Sequence, residues 1–418
     1  MLKNNWYIAI FSLMLSITSG KAQTLSLEEI LVTIKLNNPQ LKMYDADIKG
    51  MEAAAKGAKS WMPPQLETGL FMSPYNTGMW KANEMNAGMG NYMLGITQMI
   101  PNSKKLNAEF NYMNAMASVE TENKNYALNQ LNALAKTNYY QWLIANKKIK
   151  IASDNLLLLE YMIKSMEIRY QYNMDKLPTY YKAKSMVGGV QNMISMLQSE
   201  IYQRRSILNS LMYRDKETVF KIDSIYQMKK FSLGIADTAS LALNRSDLKV
   251  FDKSIILNQL KTETEKSKLK PDFGLKYDHM FTFGDQPDMF SLMLMVSIPI
   301  APWSSKMSKA NVELLRFKNE SLKWQKQMIL NEVSGMVSGM IYEWENAKKQ
   351  YEVSQKSIIP ALQKSYDTAV LAWQNNTGDL FVVLEAWEAL NMAQLDALDK
   401  LYMILNMQVE IEKQLESK

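Results

Sequence analysis

Residues 271–303 constrain the fold of this chain more than any other stretch. Phe273, Leu275, Tyr277, His279 and Phe281 alternate with Asp272, Gly274, Lys276, Asp278 and Met280. After a polar turn, Gly284-Asp285-Gln286-Pro287-Asp288, a second run begins. Phe290, Leu292, Leu294, Val296 and Ile298 alternate with Ser291, Met293, Met295 and Ser297. A period of two gives each run one apolar and one more polar face, which is the pattern of two strands. Each run is about 10 residues long, enough for a tilted strand to cross a bilayer. Taken alone, the alternation favours a hairpin in a soluble protein; its surroundings reverse that preference.

Composition removes most alternatives. The chain has 418 residues and no cysteine, which excludes disulfides and attachment to lipid through an N-terminal cysteine. It has one histidine, so His-based metal sites and His-dependent catalysis are nearly closed off. There is no Gly-rich phosphate loop and no convincing catalytic set, so no enzyme activity and no cofactor are expected. His279, on the apolar strand face, reads as an interfacial or packed residue. Lys and Arg number 48 against 42 Asp and Glu, and the net charge of +6 is modest. No basic patch interleaved with aromatics points to nucleic acid. Residues 1–22 read as a secretory signal: Lys3, a short apolar run from Trp6 to Ile17, then Gly20-Lys21-Ala22 as a cleavage site. No later apolar run is long enough for a membrane helix, so an exported chain of this kind is either soluble or a β-barrel.

The rest of the chain reads as long helix, arranged twice. Ser26 and Glu29 form a capping box before Leu27, Ile30, Leu31 and Ile34 at helical spacing. A second helix from Pro39 to about Trp61 stops at Pro63-Pro64. Residues 65–73 and 91–100 read as strands around a Gly- and Asn-bearing loop, with Leu66, Thr68, Leu70 and Met72 on one face, and Tyr92, Leu94 and Ile96 on one face of the second. Residues 103–172 contain no Pro or Gly, and about 70 residues at 1.5 Å each make roughly 100 Å of helix. A return helix from about Thr179 to Arg214 contains Gly188-Gly189, read as a bend or a close packing point. Residues 215–240 read as a connector. The order then repeats: Arg245-Ser246-Asp247-Leu248-Lys249 aligns with Asn38-Pro39-Gln40-Leu41-Lys42, and Pro271 with Pro64. A helix from Lys306 to about Gln374, broken at Pro360, a turn at 375–380 and a last helix from about Phe381 complete the pattern. This divides the chain into a signal (1–22), a first repeat (23–214, hairpin 65–100), the connector, and a second repeat (241–418, hairpin 271–303). Such duplication usually builds a symmetric assembly.

Two hairpins supply four strands per chain, too few to close a barrel, and open edges are not tolerated in lipid. Three chains would supply 12 strands, an even number in the observed range. In this setting several short segments resemble the TolC family of outer-membrane efflux channels. They are Leu25-Ser26-Leu27-Glu28-Glu29, Asn37-Asn38-Pro39-Gln40-Leu41, the matching Asn244-Arg245-Ser246-Asp247-Leu248, the prolines 63, 64 and 271, and the run from Asn376 through Leu380 to Ala386. Together, in order and duplicated, they span essentially the whole mature length. The resemblance implies a mixed α/β membrane protein. Its long helices would form a periplasmic tunnel, and its four strands would join a 12-stranded trimeric β-barrel. It implies a homotrimer in outer-membrane lipid, docked to a periplasmic adaptor (membrane fusion protein) and an inner-membrane pump. It also implies that Glu385 keeps one acidic ring position at the entrance, while Val382 stands where the family has another.

Other residues carry two readings. Asp175 and Asp379 lie in the tip turns as pore or gate candidates, and capping of the following helices explains them more simply. The resemblance places adaptor contact at the same turns, with Arg169, Asn173, Lys176, Thr377 and Gly378. Trp61, Trp303 and Tyr92 near strand ends fit aromatic girdles, with core packing an equal reading for Trp61. Methionine is abundant, with 32 residues, and substitution for Leu in helix cores accounts for most of them. Met79, Met85 and Met89 stand in a loop that needs no filler, and Met293 and Met295 alternate onto the strand face away from Leu292 and Leu294. Thioethers are soft ligands suited to Cu(I) and Ag(I). The Met-rich first hairpin resembles the Cus-like, heavy-metal branch of the family. A general drug, small-molecule or type I secretion channel competes closely. A soluble exported coiled-coil protein is the alternative outside this class.

Overall fold

The capping box at Ser26 forms as its residues dictate. Ser26 Oγ accepts from the Glu29 N–H at 3.3 Å, and Glu29 Oε2 accepts from the Ser26 N–H at 2.8 Å. Two donors that a helix start leaves unpaired are thereby satisfied. The structure, a computed structural model, describes residues 24–84, 87–172, 176–232, 237–299 and 301–416. The expected signal 1–22 and the site candidates Met85, Asn173 and Asp175 lie outside them.

Helix dominates. A two-residue strand β1 (Thr24–Leu25) precedes α1 (Leu27–Asn37) and α2 (Pro39–Gly57). Then come β2 (Gln65–Phe71), β3 (Asn91–Ile100), the 69-residue α3 (Ser103–Gln171), α4 (Leu177–Leu211), β4 (Lys221–Ile222), α5 (Thr238–Asn244) and α6 (Ser246–Ser267). The second half continues with β5 (Asp272–Thr282), β6 (Met289–Ser297), α7 (Pro302–Val353), a π-helical turn (Ser354–Ile358), α8 (Ile359–Gln374) and α9 (Leu380–Leu415). Among the described residues no helix is long and apolar enough to cross a membrane.

Several local details differ from the sequence reading. The second helix ends at Gly57, where a turn closed by Ser60 N–H to Gly57 C=O at 3.0 Å replaces the last helical residues. Trp61 is consequently exposed and packs in no core. The return helix starts at Leu177 because Pro178 fits its first turn, where no N–H partner is needed. Gly188 and Gly189 lie inside α4 and are not a close packing point in this chain, since a Cβ at either meets nothing within 4 Å. The break expected at Pro360 takes the form of a π turn just before it, at Ser354–Ile358. Proline lacks an N–H and crowds the carbonyl four residues back, and one widened turn relieves both. The connector carries β4, which pairs in parallel with β1 (Thr24↔Lys221, Leu25↔Ile222). Two-residue strands have no period to read.

The chain divides into two compact units. One comprises Met1–Asn38, Leu131–Lys230 and Tyr342–Glu410. Its core near the helix ends includes Leu159, Met162, Met166, Leu384 and Trp387, all nearly inaccessible. The Trp387 Nε1–H donates to Asn155 Oδ1 at 3.0 Å, and Asn155 in turn donates to Asn391 at 2.7 Å, so the polar atoms in this core are paired. Tyr139, fully buried, donates its hydroxyl to Asp223 beside β4.

The second unit comprises Pro39–Gln130, Phe231–Ile341 and Ile411–Lys418. Its four-stranded antiparallel sheet has the order β2-β3-β5-β6, so the two hairpins join through β3 and β5. The register runs from Asn91↔Thr282 to Ile100↔Phe273. At the turn end the loops are stapled together: Phe283 N–H donates to Gly90 C=O at 2.9 Å and Asp285 N–H to Ala87 C=O at 3.1 Å. Trp80 stacks on Phe283 with ring centroids 5.1 Å apart. Gly88 and Gly284 both have positive φ, and a Cβ on Gly88 would stand 2.9 Å from the Gly284 Cα, so side chains are excluded there. At the helix end, Lys105 pairs with Asp272 at 2.6 Å.

Candidate functional site

Two regions carry the sequence candidates, one in each unit. The first is the sheet. Its alternation sorts residues as the period of two requires, but in an inverted sense for a protein in water. Leu66, Leu94, Ile96, Leu275, Phe290 and Leu294 are exposed, Leu66 by 74% and Leu294 by 72%. The opposite face is polar and crowded. There Asp278 is only 2% exposed; Ser291 donates to its Oδ2 at 3.1 Å, and Lys276 Nζ lies 3.6 Å from its Oδ1. Lys276 also pairs with Glu67, and Thr97 donates to Glu67 at 3.4 Å. Gly95 makes room for this group, since a Cβ there would stand 2.3 Å from Asp278 Oδ1.

Met293 and Met295 lie on this polar face of β6, paired with Lys276 and Gly274 respectively. Met79 and Met89 meet through the backbone at the turn end, where Met89 N–H donates to Met79 C=O at 2.9 Å. His279 is half-buried on the apolar face, edge-on to Phe281 at 4.4 Å, with its Nε2 4.0 Å from Asp288. Trp303, 84% exposed, stands in the first turn of α7, and the exposed Tyr92 near the start of β3. Sequence reasoning passed over Asp278 as a site because a lone Asp in a strand carries no signal; Gly95, opposite it in register, is visible only once the strands are paired.

The second region is where the helix ends meet. α8 ends in a Schellman motif: Thr377 N–H donates to Ala372 C=O at 2.9 Å and Asn376 N–H to Trp373 C=O at 3.1 Å. Asn376 takes the left-handed conformation that the motif needs. Its Oδ1 accepts from Arg169 Nη2 at 2.7 Å, and the Arg169 guanidinium lies over the buried Trp373 ring at 5.0 Å. The end of α3 is thereby tied to the end of α8. Thr377 Oγ1 donates to Ala372 C=O, and a Cβ on Gly378 would stand 2.9 Å from the Ala372 Cβ. Both residues therefore shape the turn itself.

Asp379 accepts from the Phe381 N–H at 2.9 Å, in the manner of an N-cap, and lies 3.6 Å from Lys176 Nζ. Glu385 is exposed on the same face of α9 as Val382 and Met392. Between the end of α3 and the start of α4 lies a cavity of about 380 Å³, lined by Met166, Glu167, Tyr170, Lys176, Leu177 and Tyr180 among others. Tyr180 donates to Glu167 at 3.1 Å, and that hydrogen bond holds the Tyr180 hydroxyl above its ordinary pKa. Burial pushes the nearby Tyr366 up to about 12.

With this geometry established, the likeness to solved structures is plain. The chain is similar to the outer-membrane channel OprN at TM-score 0.74 and 13% identity, covering 94% of this chain and 90% of that one. It is similar to CusC, also at 0.74, with 14% identity, 93% of this chain and 91% of that one. The outer membrane protein VceC of Vibrio cholerae matches at 0.72 and 13% identity, with 93% and 95% covered. Identities this low show the fold, which is that of outer-membrane channels. The sequence profile described as outer membrane efflux protein matches residues 30–212. Over those residues the chain is similar to the outer membrane efflux proteins, in keeping with the resemblance of its motifs to the TolC family. No curated protein matches it in sequence.

Proposed function

We propose that this chain is the outer-membrane exit duct of a tripartite efflux system. It acts as a passive homotrimer without cofactor or chemistry of its own, taking cargo from an inner-membrane pump through a periplasmic adaptor. The four-stranded sheet carries the reading. Its apolar face is exposed, and in the order β2-β3-β5-β6 the strands β2 and β6 are its edges. Successive strands alternate in direction, so β6 of one copy meets β2 of the next antiparallel. Three copies close a barrel of 12 strands and leave no edge. Apolar side chains then meet lipid, and Asp278, Lys276 and Glu67 line a wet lumen.

In this assembly the helices form a periplasmic tunnel. Three copies of Glu385 surround one axis, where their charge attracts cations. Asp379 lies at the mouth. Arg169, Lys176, Thr377 and Gly378 form the rim that meets the adaptor. The cargo is Cu(I) or Ag(I); thioethers on a polar face support this, as does the resemblance of the first hairpin to the Cus-like branch. A general drug, small-molecule or type I secretion channel is the second reading, supported by the ordinary core packing of Met162 and Met166.

Fractionation and growth test both levels. The duct predicts a heat-modifiable trimer that pellets with outer membranes; a detergent-independent soluble protein contradicts it. A deletion strain sensitive only to copper and silver supports the metal cargo. Sensitivity to drugs and bile salts with normal copper tolerance overturns that cargo and leaves a general channel.

A further inference from the structure

Some methionines fill helix cores, as Met162 and Met166 do at no more than 2% exposed, while others such as Met196 and Met307 stand exposed on helix surfaces. On β6, Met289, Met293 and Met295 are 48%, 45% and 42% exposed and share one face of the strand. Strand pairing places the latter in rows. Met93 on β3 is directly opposite Met280 on β5, and Met280 is directly opposite Met289 on β6. Three thioethers thus stand side by side across three adjacent strands. The row lies on the polar face, in step with Asp278 and Lys276 and away from exposed Tyr92 and Phe281.

A second row follows the same plan with its middle side chain removed. Met99 on β3 is opposite Gly274, and Gly274 is opposite Met295. The Met99 sulfur lies 2.7 Å from the point where a Gly274 Cβ would stand, and the Met295 Cβ lies 3.4 Å from that same point. The Met99 side chain therefore already reaches across the bare backbone of β5 toward Met295. Between the two rows lie Asp278, 2% exposed, Lys276, whose Nζ is 3.6 Å from Asp278 Oδ1, and Met293 opposite Lys276.

We propose that Met93, Met280 and Met289 form a binding site for a soft monovalent d10 cation, Cu(I) or Ag(I), and that Met99 and Met295 form a weaker second one. This inference rests on the metal-cargo reading above and gives it a location. Opposed residues on neighbouring strands have Cβ atoms about 5 Å apart. The thioether ends a flexible, unbranched chain, so the two outer side chains can lean over the middle strand and place three sulfurs around one ion. Thioethers are neutral and soft, so they select Cu(I) and Ag(I) over the hard and borderline ions that prefer carboxylate and imidazole. Between the rows the carboxylates of Asp278 and Glu67 face the single ammonium of Lys276, which leaves one net negative charge to draw a cation from one row to the other. The loop methionines Met79 and Met89 are not part of the site.

The test is Ag(I) titration of the purified full chain in detergent, followed by calorimetry and by NMR of [methyl-13C]methionine. The volume-conserving triple variant M93L/M280L/M289L should bind Ag(I) at least about tenfold more weakly. M99L/M295L should lose less, and M79L/M89L nothing. In the native protein the shifting methyl signals should be those that disappear in the triple variant. Unchanged Ag(I) affinity in the triple variant, or shifts confined to the loop or helix-core methionines, overturns the site. If the triple variant does not fold, M93L and M289L are read singly in the same way. Conductance of the same preparations in planar bilayers separates this from the duct. Open pores without the Ag(I) effect overturn the site and keep the channel. The Ag(I) effect without pores keeps the site and overturns the channel.

Discussion

The helix-end core and the sheet treat apolar side chains in opposite ways. In the core, Leu384 and Trp387 are withdrawn from solvent and the polar atoms among them are paired. In the sheet, Leu66, Leu294 and Phe290 are turned out, and the buried members are Asp278, Thr97 and Asn91. Water alone does not select both arrangements, because an exposed apolar band of this kind marks a surface that meets something other than water. The two regions of one chain are thus built on opposite rules.

The largest expected effect is in the core. Trp387→Ala should cost about 3–5 kcal/mol, part of it because Asn155 loses its partner, and denaturant unfolding in detergent checks it. Leu294→Arg on the outward face should cost about 2–4 kcal/mol for folding into lipid vesicles. In the core the same kind of change abolishes folding, whereas at Leu294 it should be nearly silent in any assay without a membrane. Equal costs with and without lipid would erase the contrast between the two regions.

These differences mark what the sequence could and could not convey. The period of two in residues 272–282 and 289–297 was legible because a strand with two unlike faces must alternate, whichever solvent meets each face. Long helices were legible from unbroken periodicity between prolines. The union of the two hairpins into one sheet was not, since the Asn91↔Thr282 pairing joins residues that share no local pattern. For the same reason the alternation shows Met293 and Met295 on one face of a strand, whereas the alignment of Met93, Met280 and Met289 across three strands appears only in the register. Arg169 and Asn376 were both singled out in the tip turns, but their bond across 207 positions was not readable. The turn chemistry was simpler: Asp379 caps α9 as a short acidic residue before a helix should.

The tip offers a finer contrast. Asn376→Ala should cost about 1–2 kcal/mol for the left-handed backbone and also release Arg169. Asn376→Gly should keep the motif and release Arg169 alone. If both variants show the same change in thermal stability, the Arg169 bond carries the effect and the backbone none. The smallest effect is at Gly188. Because a Cβ meets nothing there in this chain, Gly188→Ala should stabilise α4 by about 0.5–1 kcal/mol. A loss of stability in the assembled protein would instead place a neighbouring copy against that face.

The most direct test of the account is whether the two sheet edges meet between copies. The chain has no cysteine, so paired cysteines can be introduced without background. One would be placed among residues 65–71 of β2 and the other among residues 289–297 of β6, scanning the register. Oxidation in outer-membrane fractions should yield covalent dimers and a closed covalent trimer for at least one register, with nothing larger. Protein that is present in those fractions but stays monomeric at every register would contradict the barrel and, with it, the reading of this sheet as a membrane wall.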